Sequence, residues 1–142
     1  MKILIPVDGS DNAISAVNYA IKLSKELANS PQLFLLNVQW NVAAGNVKLF
    51  INQDTINDYY REQGMEALKV ARSALEAAEL PYQYHISIGQ PAEAILQYAE
   101  EQGVDQIVVG AQGHESLANL LLGSVTSKVA NLAKVPVTIT RK

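Results

Sequence analysis

The chain has no cysteine among its 142 residues. Disulfides, thiol catalysis and thiolate metal sites are therefore excluded outright. Histidine is nearly as scarce: His85 and His114 are the only two. They follow no metal-ligand spacing, and no Ser/His/Asp set has a recognisable local context. Positive charge is thin as well. The eleven Lys and Arg are scattered apart from the terminal Arg141-Lys142, and the formal net charge is −3. Nucleic-acid binding draws its affinity from clustered cations, so it is not expected. No apolar run approaches bilayer length. The opening run before Asp8 is too short for a signal peptide. The expectation is a cytoplasmic protein with no membrane partner. Low-complexity segments, linkers and repeats are lacking too.

What is present suits one ordinary domain over residues 1–142, with 49% hydrophobic and 18% charged residues. Residues 104–126, VDQIVVGAQGHESLANLLLGSVT, organise the rest. The run Gln106 to Gly110 reads as a strand buried on both faces. A glycine loop, Gly110-Ala111-Gln112-Gly113, follows it, and Gly123-Ser124 heads a second periodic segment where a helix start is expected. Glycine lets backbone approach a ligand closely, and the free N–H groups and positive dipole end of a helix start favour an anion. The set reads as a phosphate cradle. It is neither a Walker loop, since no Gly-Lys-Ser/Thr occurs, nor a first-strand dinucleotide fingerprint, since Asp8-Gly9-Ser10 offers one glycine.

In chain order, Ile3 to Val7 is a first apolar strand, broken at Asp8-Gly9-Ser10, where Ser10 or Asp11 can cap a helix. Ala13, Ala16, Val17, Ala20, Leu23 and Leu27 mark that helix's buried face. Leu33 to Val38 is a second apolar strand, and residues 40–54 read as a long loop. A long helix is expected from Thr55 to Leu80, with Leu68, Ala71, Leu75 and Ala78 inward and Gly64 a local weakness. Tyr82 to Ile88 alternates as a strand with one wet face. A helix starts at Pro91, carries Ala92, Ile95, Leu96 and Ala99 inward, and closes at Gly103. A helix over Ser124 to Ala133, with Val125, Val129 and Leu132 inward, precedes a final alternating strand, Val135 to Thr140.

Alternating strands and helices argue a parallel sheet covered on both faces. The first, second and fourth strands are apolar throughout and belong in the centre, while the third and fifth belong at the edges. The order is therefore 3-2-1-4-5, a doubly wound α/β fold. Its direction switches between the first and fourth strands, where open α/β sheets bind ligands. Asp8 and Gly110 stand at those two carboxyl ends. Asp8 reads as an acid at a helix start, or else as an acceptor for ribose hydroxyls or a partner to phosphate-bound Mg²⁺. Asn37 reads as a satisfied core amide, and the Val38 backbone is placed to meet an adenine edge. His114 can touch a phosphate or simply face solvent. His85 has no assigned role, and Tyr59, Tyr60, Tyr82 and Tyr84 read as packing.

The spacing Gly110-x₂-Gly113-x₉-Gly123-Ser124 resembles the nucleotide-binding signature of the universal stress protein family. The resemblance extends to Ile3-Leu4-Ile5-Pro6-Val7-Asp8-Gly9-Ser10, to Gly89-Gln90-Pro91-Ala92-Glu93-Ala94-Ile95, to Leu122-Gly123-Ser124-Val125-Thr126 and to Val135-Pro136-Val137. It implies a Rossmann-like domain, usually a homodimer paired through the last strand, here Val135 to Thr140. It also implies an ATP-binding member with Mg²⁺ or Mn²⁺ on the phosphates. The implied site is Pro6, Val7 and Asp8, with Asp8 on the ribose; Val38 on the adenine; Gly110, Gln112, Gly113 and His114 around the phosphates; and Gly123, Ser124, Val125 and Thr126 at the helix start. Gln112 stands where the family commonly has Arg or His, Ala111 where Ser is common and Asn37 where His is common. A nucleotide-binding module in stress response is the first reading. A slow ATPase or nucleotide-transfer enzyme on the same site, and a structural dimer without nucleotide, are the alternatives.

Overall fold

The computed structural model describes residues 1–40, 52–112 and 121–142. Among the described residues the elements follow one another as β1 (Lys2–Pro6), α1 (Asp11–Glu26), β2 (Gln32–Gln39), α2 (Gln53–Ala77), β3 (Tyr82–Ile88), α3 (Pro91–Gln102), β4 (Gln106–Gly110), α4 (Ser124–Leu132) and β5 (Val137–Thr140). The strands form one parallel sheet in the order β3-β2-β1-β4-β5. This is the order that the apolar patterns imply.

Strand alternation divides the core into two layers. Ile3, Ile5, Leu33, Leu35 and Val108 face α1 and α2, where they meet Ala16, Val17, Leu68, Ala71 and Leu75. Leu4, Phe34, Leu36, Ile107 and Val109 face the other way, onto Ala92, Ile95 and Ala99 of α3 and Val129 of α4. Fully burying each Val, Leu, Ile or Phe side chain among them stabilises the fold by about 1.5–3 kcal/mol. β1 can be apolar on both faces because it lies between β2 and β4 with helices above and below.

Local chemistry sets the helix ends. Ser10 Oγ caps α1 by accepting the Ala13 N–H at 3.3 Å. Asn52 Oδ1 accepts the Thr55 N–H at 2.8 Å and starts α2 at Gln53, earlier than its apolar stripe suggests. Glu79, at φ +57°, turns the chain before Leu80, so α2 ends at Ala77. The loop expected over residues 40–54 lies mostly outside the described residues, and Gln53 and Asp54 belong to α2. Gly103 closes α3 in the left-handed region, φ +62°, as expected of a glycine there.

Four large apolar residues are exposed although they continue a buried stripe or face. Leu27 lies one residue past α1 and is exposed, while Ser24 takes its place in the buried stripe by donating to the Ala20 carbonyl at 2.8 Å. Leu132 is exposed in the last turn of α4, where the sheet has narrowed to its edge strand; Thr126 and Val129 form that helix's buried face. In β3, Tyr84 and Ile88 are exposed although they share a face with Ile86, because an edge strand is only partly covered by α2. Gly64 lies where that covering is closest. A Cβ there would stand 2.7 Å from the Ile86 side chain, so the glycine that weakens α2 locally also admits β3.

Candidate functional site

The carboxyl ends of β1 and β4 separate as the topology predicts, and three chain segments converge there. The first is the turn after β1. Pro6 and Val7 are buried, and the Val7 N–H extends the sheet by donating to the Leu36 carbonyl at 2.8 Å. Asp8 Oδ1 then accepts the Ser10 N–H at 2.9 Å, and Gly9 takes φ +87° to complete the turn into α1. The Asp8 side chain thus orders the start of α1 while remaining exposed at the strand's end. The helix-start role is present in the structure.

The second segment joins β4 to α4. The Gly123 N–H donates to the Ala111 carbonyl at 2.8 Å, and Thr126 Oγ1 donates to the Gly110 carbonyl at 2.7 Å in a buried bond. The Gln112 side-chain amide donates to the Leu121 carbonyl. These bonds fasten the start of α4 to the end of β4. Gly123 is the N-cap and supplies no side-chain hydrogen bond to the first N–H groups of the helix. Ser124 is exposed at the first helical position and Val125 is half-buried. Thr126, by contrast, is 3% exposed, and its hydroxyl proton is committed to Gly110. Gly113 and His114 lie outside the described residues.

Gly110 answers first to packing. A Cβ on it would lie 2.5 Å from the Asn12 carbonyl oxygen and 2.9 Å from the Asn12 Cβ, so α1 crosses the end of β4 at backbone distance. No apolar pattern announces this contact, because Asn12 is a polar residue outside the apolar stripe.

The third segment is the end of β2. Asn37 is 2% exposed and donates through Nδ2 to the Val7 carbonyl at 2.8 Å, while its Oδ1 accepts Gln39 Nε2 at 2.6 Å. It is the satisfied core amide expected from its apolar surroundings. Val38 is half-buried beside it, at the end of the strand next to β1.

Other polar groups lie elsewhere. His85 stacks on Tyr98 of α3, with ring centroids 5.3 Å apart and planes 8° from parallel. Burial raises the Tyr98 phenol above its ordinary pKa, and Glu101 adds to the shift. On the opposite face of β3, Arg72 Nε donates to the Tyr82 hydroxyl at 3.1 Å, which donates to Glu76 at 2.7 Å, and the guanidinium sits 4.5 Å over the Tyr84 ring. Tyr60 is buried, as packing requires, while Tyr59 is exposed against its edge. Among the described residues no group of three His, Asp or Glu assembles a metal site, and no helix is long and apolar enough to cross a membrane.

Comparison with known proteins gives concordant matches. The model of the universal stress protein family matches residues 1–141. The chain is 35% identical over 147 residues to universal stress protein YxiE of Bacillus subtilis, covering 99% of this chain and 98% of that protein. It is 34% identical over 145 residues to universal stress protein MJ0531 of Methanocaldococcus jannaschii, covering 99% of this chain and 82% of that one. The solved structure of MJ0577 from the same organism superposes with a TM-score of 0.84 at 28% identity, covering 99% of this chain and 95% of that chain. More distant structures of the same fold were solved with ligands: a universal stress protein with cAMP, one from Arabidopsis thaliana with AMP and one from Archaeoglobus fulgidus with dAMP, at 23%, 17% and 20% identity and TM-scores of 0.70, 0.69 and 0.68.

Proposed function

The chain belongs to the universal stress protein family, and from that premise we propose that it binds an adenine nucleotide, ATP foremost, where β1 and β4 part. The observation that carries the reading is the start of α4. It has no side-chain cap, and two hydrogen bonds to Gly110 and Ala111 hold it at the end of β4. Such a start presents N–H groups and a partial positive charge to an anion. In this reading Ser124 and Val125 receive the phosphates, with Gly113 and His114 beside them. Asp8 takes the ribose, next to Pro6 and Val7, and Val38 takes the adenine. Thr126 and Gly110 serve as the fixed frame. Gln112 is neutral and already engaged by Leu121, so it brings no cation to the phosphates.

The fold accommodates adenosine phosphates in the three ligand-bound structures, which supports the base and ribose assignments. The preference for a triphosphate, with Mg²⁺ or Mn²⁺, rests on the glycine signature. β5 is an edge strand of only four residues, with Val137 and Ile139 half-buried, and it suits pairing with a second copy through Val135 to Thr140. The protein acts in this reading as a homodimeric nucleotide-binding module.

The deciding experiment is isothermal titration of the dialysed protein with ATP and Mg²⁺, repeated with AMP, and with Trp40 fluorescence as a parallel signal. Saturable ATP binding that is tighter than AMP binding, and is lost in Gly123→Val, supports the site. Equal binding by wild type and Gly123→Val overturns the phosphate assignment.

A further inference from the structure

β1 and β2 run as a regular parallel ladder up to Leu36, whose carbonyl receives the Val7 N–H at 2.8 Å. One step further, the ladder would bring the Val38 N–H to the Val7 carbonyl. That carbonyl instead accepts the Asn37 side chain at 2.8 Å. Gln39 Nε2 occupies Asn37 Oδ1 at 2.6 Å, which fixes the amide with its NH₂ toward Val7. Backbone alternation still turns Val38 toward the β1 side, just as it turns Gln39 toward β3, where its carbonyl accepts the Gly89 N–H at 2.9 Å. On the β1 side the chain has already left the sheet through Asp8 and Gly9.

From this geometry we infer that Asn37 is a positioning residue: by occupying the Val7 carbonyl, it reserves the Val38 N–H for a ring nitrogen of a bound purine. The inference rests on the reading that an adenine nucleotide binds at the switch point. A backbone N–H beside a C=O matches adenine, whose N1 accepts and whose 6-amino group donates. It opposes hypoxanthine, whose N1–H donates and whose O6 accepts. Asn37 thereby selects adenine without touching it.

Two measurements separate this role from the site reading. The first needs no ligand: amide exchange at Val38, followed by NMR in wild type, Asn37→Leu and Asn37→Asp. Neither variant retains an amide donor, and Asn37→Asp keeps the side-chain shape if Asn37→Leu folds poorly. The Val38 amide should exchange roughly tenfold more slowly in a folded variant, because it can then turn to Val7, whereas a merely structural loss would speed exchange. Unchanged or faster exchange overturns the inference. The second measurement is titration with ATP and with inosine triphosphate. Wild type should prefer ATP by roughly tenfold or more, the worth of a hydrogen bond to an otherwise unpaired donor, and the preference should shrink toward unity in the variants. A preference that survives in both variants overturns the role. If wild type binds neither nucleotide, the site reading falls, and Val38 exchange alone decides what Asn37 does.

Discussion

Gly110 and Asn12 meet so closely that the glycine's missing Cβ is replaced by the Asn12 backbone, 2.5 Å from where that Cβ would be. The glycine that opens the candidate phosphate loop is therefore also the seat of α1. Gly110→Ala should destabilise the fold by about 2–3 kcal/mol through overpacking against backbone that cannot yield. Urea unfolding checks this: the midpoint should fall with the slope unchanged.

Thr126 holds α4 to β4 by a single buried hydroxyl. Thr126→Val keeps the shape and loses the bond to Gly110, so it should cost about 1–3 kcal/mol, while Thr126→Ser should retain most of the stability. Thermal melts of the pair check the order. Nucleotide affinity, measured on the folded fraction, should fall in Thr126→Val, because the first turn of α4 is then less firmly placed.

Gly64 tests the packing of α2 on β3. Alanine is the better helix former by roughly 1 kcal/mol, yet Gly64→Ala should destabilise the protein, since the new Cβ meets Ile86 at 2.7 Å. In an Ile86→Ala background the same change should become neutral or stabilising. A double-mutant cycle measures the coupling, and additive effects would show that this contact does not govern the site.

The raised Tyr98 and Tyr82 phenols carry a pH dependence. Burial is the main cause in both, with Glu101 and Glu76 respectively adding to it. The unfolded tyrosines ionise first as pH climbs past about 10. Their contribution is complete at neutral pH and is lost as pH rises through the folded values. Stability should thus fall on the alkaline side, and Tyr98→Phe should soften that fall. Denaturant midpoints on either side of pH 10 report it.

Much of this architecture was legible because burial on two faces leaves an unmistakable trace. Ile3 to Val7, Leu33 to Val38 and Gln106 to Gly110 could only be central strands, and the edge positions of β3 and β5 followed by elimination. The meeting of Asp8 and Gly110 at a switch point followed from that order. Less legible were contacts made by residues without an apolar pattern. Asn12 under Gly110, the Thr126 tether and the Asn37 bond to Val7 join positions distant in sequence, and hydrogen bonds leave no periodicity. Leu27 and Leu132 misled for the converse reason, since an apolar stripe continues past the point where a helix stops or outruns its cover.

The central place of β1, paired with β2 on one side and β4 on the other, bears on the order of assembly. β1 waits for β4, some hundred residues later in the chain, before its second edge is closed. The crevice between β1 and β4 cannot exist on a nascent chain that stops before Gln106, nor can the α4 start be fastened before Thr126 has emerged. A ligand that settles there recognises only a finished molecule. Binding there would therefore draw on the stability of the whole domain rather than one lobe of it.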